Sequence, residues 1–244
     1  MKLGICDYGI GGLGLYKLLR DKCTADIVYI SDSGYIPYGK VPEAELKKRV
    51  SLILKYFNKL GVYKIAVACN AASTIIPKDN NITGIIEHGM KMVFKIKPQK
   101  IAIVGGVRTI ESGIYKTTFE KRGISTLQLI AQKLSIRIEA GDIDSAKLDK
   151  DIENIFDPIK NYKFILLACS HYPAIAARIK RFVRNARLLN PDEEMAEWIL
   201  NQWHDLRGNS TVKWITSGDA AQMKFAAKKS FGVGIDKVER LLLS

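Results

Sequence analysis

Two thiols carry the chemistry that this chain's residue types and spacing suggest. In Ala66-Val-Ala-Cys69-Asn70-Ala-Ala-Ser73 one stands where a short apolar run of strand length gives way to polar residues. Phe164-Ile-Leu-Leu-Ala168 runs into Cys169-Ser170-His171-Tyr172-Pro173 and repeats the arrangement, with the proline suited to the first turn of a following helix. Cysteine is a common core residue, but a core cysteine needs no Asn or His beside it. A thiolate and a thiol facing each other can invert a stereocentre, one taking a proton from Cα and the other returning one from the opposite side. The α-proton of an amino acid is weakly acidic, and the reference thiol pKa is about 8.5, so neighbours must tune both sulfurs. Positioned acid–base groups contribute on the order of 10²–10⁴ each, and donors to the substrate carboxylate must supply the rest. Asp7 and His171 are placed to assist. An alternative is acyl transfer with Cys169 as nucleophile and His171 as base; the second cysteine has no task in that scheme.

The elements that position these residues repeat. Residues 2–6 read as a buried strand, residues 7–14 as a glycine-rich turn, 13–20 as a helix, and 26–32 as a second strand. A helix opens at Pro42 and Glu43, keeps Leu46, Val50, Ile53, Leu54, Phe57 and Leu60 at a spacing of three to four, and closes at Gly61. Strand 64–68 then delivers Cys69. A polar turn at 77–81, a short strand at 83–86 and a loop with Glu87 and His88, read as a structural rim, complete the first half. After Pro98 the pattern restarts: strand 100–104, a Gly105-Gly106 turn, a helix capped by Thr109 and running through Glu120, strand 123–129, a crossing loop over 132–139, helix 149–156, and strand 163–168 ending in Cys169. The offset between the cysteines is 100 residues. Two similar α/β units facing each other would bring both strand-end crevices, where such sheets bind ligands, onto one molecule.

The turn after the first strand, Asp7-Tyr8-Gly9-Ile10-Gly11-Gly12-Leu13-Gly14, contains a formal GxGxxG, and Asp32 ends the next strand. Together they mimic a dinucleotide-binding fingerprint and an oxidoreductase. Against that, Asp7 would set a carboxylate against phosphates. Glycine N–H groups can equally cradle a small carboxylate at a helix N-terminus, and that reading is preferred.

The chain has 244 residues, 47% of them hydrophobic, enough for two small α/β domains. No stretch approaches the roughly 18 apolar residues of a membrane span, and the N-terminus enters a strand directly, so a cytoplasmic protein is expected. Four cysteines without a CxxC pair and three histidines without ligand spacing indicate neither a zinc site nor a disulfide framework, so no metal is expected. The formal charge of +13 raises nucleic acid, or a nucleic-acid enzyme, as a partner. The charges interleave with apolar positions on helices, as Lys47, Lys48, Arg49, Lys55 and Lys59 do, and no nucleic-acid motif accompanies them; solvated helix faces explain them.

The segments Asp7-Tyr-Gly-Ile-Gly-Gly, Ile36-Pro-Tyr-Gly39, Ala68-Cys-Asn-Ala-Ala-Ser73, Ile86-Glu-His-Gly89, Cys169-Ser-His-Tyr-Pro173 and Thr216-Ser-Gly-Asp219 run in order along the whole chain. They resemble the glutamate racemase branch of the cofactor-independent aspartate/glutamate racemases. The resemblance implies two doubly wound α/β domains related by a pseudo-two-fold axis, residues 1–96 with 208–244 and residues 97–207, with the active site between them and the last strand–helix–strand segment returning to the first. It implies conversion of L-glutamate to D-glutamate for cell-wall precursors, or racemisation of another amino acid such as aspartate, without cofactor, in a homodimer. Cys69 would act on the D enantiomer and Cys169 on the L, with Asp7, Glu139 and His171 as their partners. Tyr8, Pro37, Tyr38, Gly39, Asn70, Ala71, Thr109 and Ser170 would contact substrate. Four positions depart from the family's pattern, which has Ser at Tyr8 and Thr at Ala71, Gly106 and Ser170. The catalytic pair is intact while hydroxyls that would recognise glutamate are lost or shortened. Arg108, at a helix start, is a candidate replacement anion binder or simply an exposed arginine.

Overall fold

The computed structural model describes every residue except Ile36, Lys78, Leu242 and Ser244, so the first residue of the 36–39 segment and one residue of the 77–81 turn lie outside the described residues. Among the described residues, ten strands form two wholly parallel sheets. In the first half, β1 (Lys2–Asp7), β2 (Asp26–Ser31), β3 (Lys64–Val67) and β4 (Ile82–Gly84) alternate with α1 (Leu13–Arg20), α2 (Glu43–Lys59) and α3 (Asn70–Ser73), and α4 (Ile85–Ile96) follows. The second half comprises β5 (Lys100–Gly105), α5 (Val107–Glu111), α6 (Ile114–Glu120), β6 (Ser125–Ile130), α7 (Gln132–Glu139), α8 (Ala146–Phe156), β7 (Phe164–Ala168), α9 (Ala176–Phe182), β8 (Arg187–Leu189) and α10 (Pro191–Gln202). The chain ends with β9 (Val212–Thr216), α11 (Ala220–Ala226) and β10 (Val238–Arg240).

The strand orders are β10-β9-β2-β1-β3-β4 and β6-β5-β7-β8. Four strands of each sheet therefore share one order, and β9 and β10 return to the first sheet beside β2. In both sheets the order reverses between the first strand and the third, β1/β3 and β5/β7, so a crevice opens at their C-terminal ends. Cys69 and Cys169 follow β3 and β7 and sit at these two equivalent edges. Central strands are buried along nearly their whole length, as parallel strands covered on both faces must be. One apolar cluster runs through both halves, joining Leu3, Ile5 and Leu13 to Val104, Leu134, Ile165 and Tyr172. Helix α10 packs against α1 and α4 of the first half.

Three sequence expectations are corrected. Residues 132–139 form helix α7, because Leu134 and Ile138, four apart, are both fully buried. Glu87 and His88 lie inside α4, whose buried Ile85, Ile86, Gly89, Met92 and Val93 follow helical spacing. Thr109 lies within α5, whose cap is Gly106; Gly113, at φ 65°, then separates α5 from α6.

Asp32 is fully buried and saturated: it takes Nε and Nη2 of Arg49 at 2.9 and 2.6 Å, the Tyr38 hydroxyl at 2.7 Å and the Ser217 hydroxyl at 2.7 Å. The carboxylate that would hold a ribose under the dinucleotide alternative is thus a structural node joining β2, the loop before α2, and β9. Asp32→Ala would leave Arg49 without its counter-charge and is expected to cost about 3 kcal/mol. Urea unfolding followed by circular dichroism checks this; a loss of under about 1 kcal/mol would contradict the assignment.

Candidate active site

Asp7 ends β1 and is buried. Its Oδ1 accepts the Gly9 N–H at 3.0 Å, and its Oδ2 accepts the Ser170 hydroxyl, from the other half of the chain, at 2.7 Å. Glu139, at the end of α7, makes the reverse crossing. Its Oε2 accepts the Ile10 N–H at 2.9 Å and pairs with Nε2 of His171 at 2.7 Å. The glycine turn therefore does cradle a carboxylate, but that carboxylate is Glu139. A Cβ on Gly9 would stand 2.1 Å from Glu139 Oε2, and one on Gly11 would stand 2.3 Å from the Ser170 hydroxyl. The glycines let the opposite half's side chains come in against the backbone, which fills the space a dinucleotide pyrophosphate would need. The dinucleotide reading is overturned on this ground and on the occupancy of Asp32.

The two sulfurs have different surroundings. Cys69 caps the short helix α3 and is buried. Burial and the Asp7 charge push its thiol well above the usual range, while the backbone N–H groups of Ala72 and Tyr8, which point at the sulfur, act in the opposite sense. Cys169 lies 3.8 Å from Nδ1 of His171. Burial alone would lower the His171 pKa, but its bonds to Cys169 and Glu139 outweigh that and hold it well above the ordinary imidazole value. Burial likewise raises Asp7, against the opposing pull of His171.

Both cysteines line one cavity of about 500 Å³, together with Asp7, Glu139 and His171. Tyr8, Pro37, Tyr38, Gly39, Asn70, Ala71, Thr109 and Ser170 line it as well. Several of their polar atoms are nevertheless engaged elsewhere. The Ser170 hydroxyl is given to Asp7, the Tyr38 hydroxyl to Asp32, and the Tyr8 hydroxyl to the Tyr35 carbonyl at 3.4 Å. Asn70 Oδ1 accepts the Tyr115 hydroxyl at 3.1 Å, whereas its buried Nδ2 has no partner. Arg108 is neither exposed nor a free anion hook. Its Nε donates to the Tyr38 carbonyl at 2.9 Å and its Nη2 to that of Val41, strapping α5 to the loop before α2. Glu87 and His88 lie outside this cavity; His88 is buried and bonded to Thr83.

Gln132, Ser135 and Ile136 also line the cavity and were missed because residues 132–139 read as a loop; Ala140, just after that segment, lines it too. The Leu134–Ile138 spacing was the available signal. Asp192 was missed too. It is buried behind Gly14 with neither carboxyl oxygen hydrogen-bonded, and burial, Asp7 and Glu193 push its pKa well up.

Because folded His171 keeps its proton to higher pH than an unfolded imidazole, near 6.5, its contribution to stability is complete below that value and is lost as pH rises through the folded value. His171→Gln should therefore cost more stability in mildly acidic than in alkaline buffer. Denaturant titrations of parent and variant at both conditions test this, and an equal cost would contradict a charged His171–Glu139 pair.

No protein-family model matches the chain. Glutamate racemase of Persephonella marina is 28% identical over 256 residues, covering 100% of this chain and 98% of that protein. Among solved structures, glutamate racemase of Aquifex pyrophilus is 27% identical with a TM-score of 0.79, covering 98% of each chain. That of Francisella tularensis, in complex with D-glutamate, has a TM-score of 0.89 at 21% identity, covering 99% of this chain and 97% of that one. The resemblance read from the motifs is borne out: over its whole length the chain is similar to glutamate racemases in sequence and shares their two-unit α/β fold.

Proposed function

We propose that this chain is a cofactor-independent isomerase that inverts the α-carbon of an amino acid with Cys69 and Cys169 as opposed bases. The observation that carries the reading is the presence of both strand-end thiols in one cavity, each beside an ionisable partner, Asp7 for Cys69 and His171 with Glu139 for Cys169. One thiolate takes the α-proton, breaking Cα–H and forming S–H. The electron pair is held on Cα and the adjoining carboxylate until the opposite thiol gives up its proton, so the reaction is balanced without a redox partner. The unpartnered Asn70 Nδ2 is a donor for the carboxylate as charge builds on it. An imidazole with its own carboxylate beside Cys169 and a carboxylate beside Cys69 give the two sulfurs different neighbours, as two different tasks require. Glutamate, the relatives' substrate, is the reference substrate. Cell-wall supply, a homodimer and the division at residues 96/97 and 207/208 belong to the same proposal.

The Cys169–His171–Glu139 line also has the order of a nucleophile, base and orienting acid, which favours acyl transfer as the second reading. The two readings part at Cys69. Under the two-base reading, Cys69→Ser and Cys169→Ser each reduce racemisation by at least about 10². β-Chloroalanine needs one base only: loss of the α-proton with departure of chloride gives 2-aminoacrylate, which hydrolyses to pyruvate and ammonia. Cys69→Ser should form pyruvate from the L enantiomer and Cys169→Ser from the D. Full activity of Cys69→Ser towards both enantiomers would refute the two-base reading.

A further inference from the structure

The cavity has more room than its catalytic groups use, and the rest of its wall is mostly carbon. The Tyr8 ring, Pro37, Ala71, Gly106, Ile136 and Ala140 surround the space beyond the sulfurs. Several of the cavity's polar side chains are partly committed to other groups. Gln132 gives Nε2 to the Ser135 hydroxyl at 2.8 Å and takes the Val107 N–H on Oε1 at 3.2 Å. Ser135 in turn donates to the Gln132 carbonyl at 2.9 Å, and Gln222 Nε2 to the Glu139 carbonyl at 3.1 Å. Tyr8, Tyr38 and Ser170 have spent their hydroxyl protons on Tyr35, Asp32 and Asp7. Among the described residues, Asn70 Nδ2 is the one buried side-chain donor in this wall without a partner, and the Thr109 hydroxyl belongs to the same wall. Such a set can serve one carboxylate, the one on Cα that every amino acid carries.

Charge points the same way. The lining holds two carboxylates, Asp7 and Glu139, and two cationic side chains, His171 and Arg108. His171 is paired with Glu139, and Arg108 holds two loop carbonyls. No lysine lines the cavity among the described residues. A second substrate carboxylate would enter a mostly carbon-walled space with Asp7 and Glu139 in its lining, where the one cation not paired with a carboxylate among the described residues, Arg108, is held back by two loop carbonyls; burying a charge so poorly matched is costly. An aliphatic, thioether or aromatic side chain meets no such barrier and gains from burial.

Resting on the racemase reading above, we infer that the preferred substrate is an α-amino acid with an uncharged, apolar side chain, in place of glutamate. Tyr8 and Ala71 shape the side-chain subsite: the tyrosine ring, tilted at 59° against that of Tyr38 with centroids 5.2 Å apart, forms its wall, and Ala71 leaves it without a hydroxyl.

The test is a panel of L-amino acids, leucine, methionine, phenylalanine, glutamate and aspartate, incubated with the purified full chain in D₂O. α-Deuteration is read by NMR and enantiomer formation by chiral chromatography. The expected result is kcat/KM for at least one of the first three exceeding that for glutamate by roughly tenfold or more, a discrimination within reach of pocket shape. Tyr8→Ser combined with Ala71→Thr should lower that ratio, with circular dichroism confirming the fold. Glutamate or aspartate turned over faster than every neutral amino acid would overturn the inference and leave the racemase reading standing. Exchange of none of the five by the folded protein would overturn both.

Discussion

Everything at the candidate site depends on two carboxylates that each half of the molecule lends to the other. Asp7 of the first half is held by Ser170 of the second, and Glu139 of the second by the Ile10 backbone of the first. These bonds run between residues 163 and 129 positions apart, and both are buried or nearly so. A polar group buried without a partner costs on the order of 1–3 kcal/mol, more if charged, so separating the two halves would expose or orphan both carboxylates at once. The same contacts fix where the sulfurs stand. Ser170 and His171 follow Cys169 directly, and the Tyr8 N–H that points at Cys69 is next to Asp7. The site is thereby tied to the docking of two sheets, and the apolar cluster that runs through both is what keeps them docked.

The repeated strand order gives this arrangement its symmetry, and the side chains break it. Equivalent edges carry a thiol each, but one has a carboxylate and the other an imidazole with its own carboxylate. Under the proposed two-base reading, these different neighbours suit one sulfur to taking a proton and the other to giving one. Beyond the sulfurs the wall is mostly carbon, so on the proposed reading what reacts and what is recognised are set by separate groups of residues.

The sequence disclosed the duplication, the thiols at both strand ends and the helices flanking them, because short apolar runs and three-to-four spacing are local signals. The glycine turn was half legible. Its spacing announces backbone N–H groups facing an anion, but the identity of that anion, Glu139, is set by a contact 129 residues away that no local pattern encodes. Arg108 was ambiguous for the same reason, since its partners are carbonyls near residue 40. The helix over 132–139 was hidden by a polar start, Gln132-Lys133, and with it three residues of the cavity wall, Gln132, Ser135 and Ile136. Asp192 has no signature at all: a charged residue in the first turn of a helix reads as a surface cap, and here it is buried.

The central claim is that two different groups serve the two faces of Cα. The direct measurement is the isotopic fate of both enantiomers when the best L-substrate reacts in D₂O and is sampled at early conversion. Two opposed bases put solvent deuterium into the D product while the recovered L substrate keeps its protium. Deuterium appearing in recovered L substrate as fast as in the D product would mean one base working both faces, and would contradict the account.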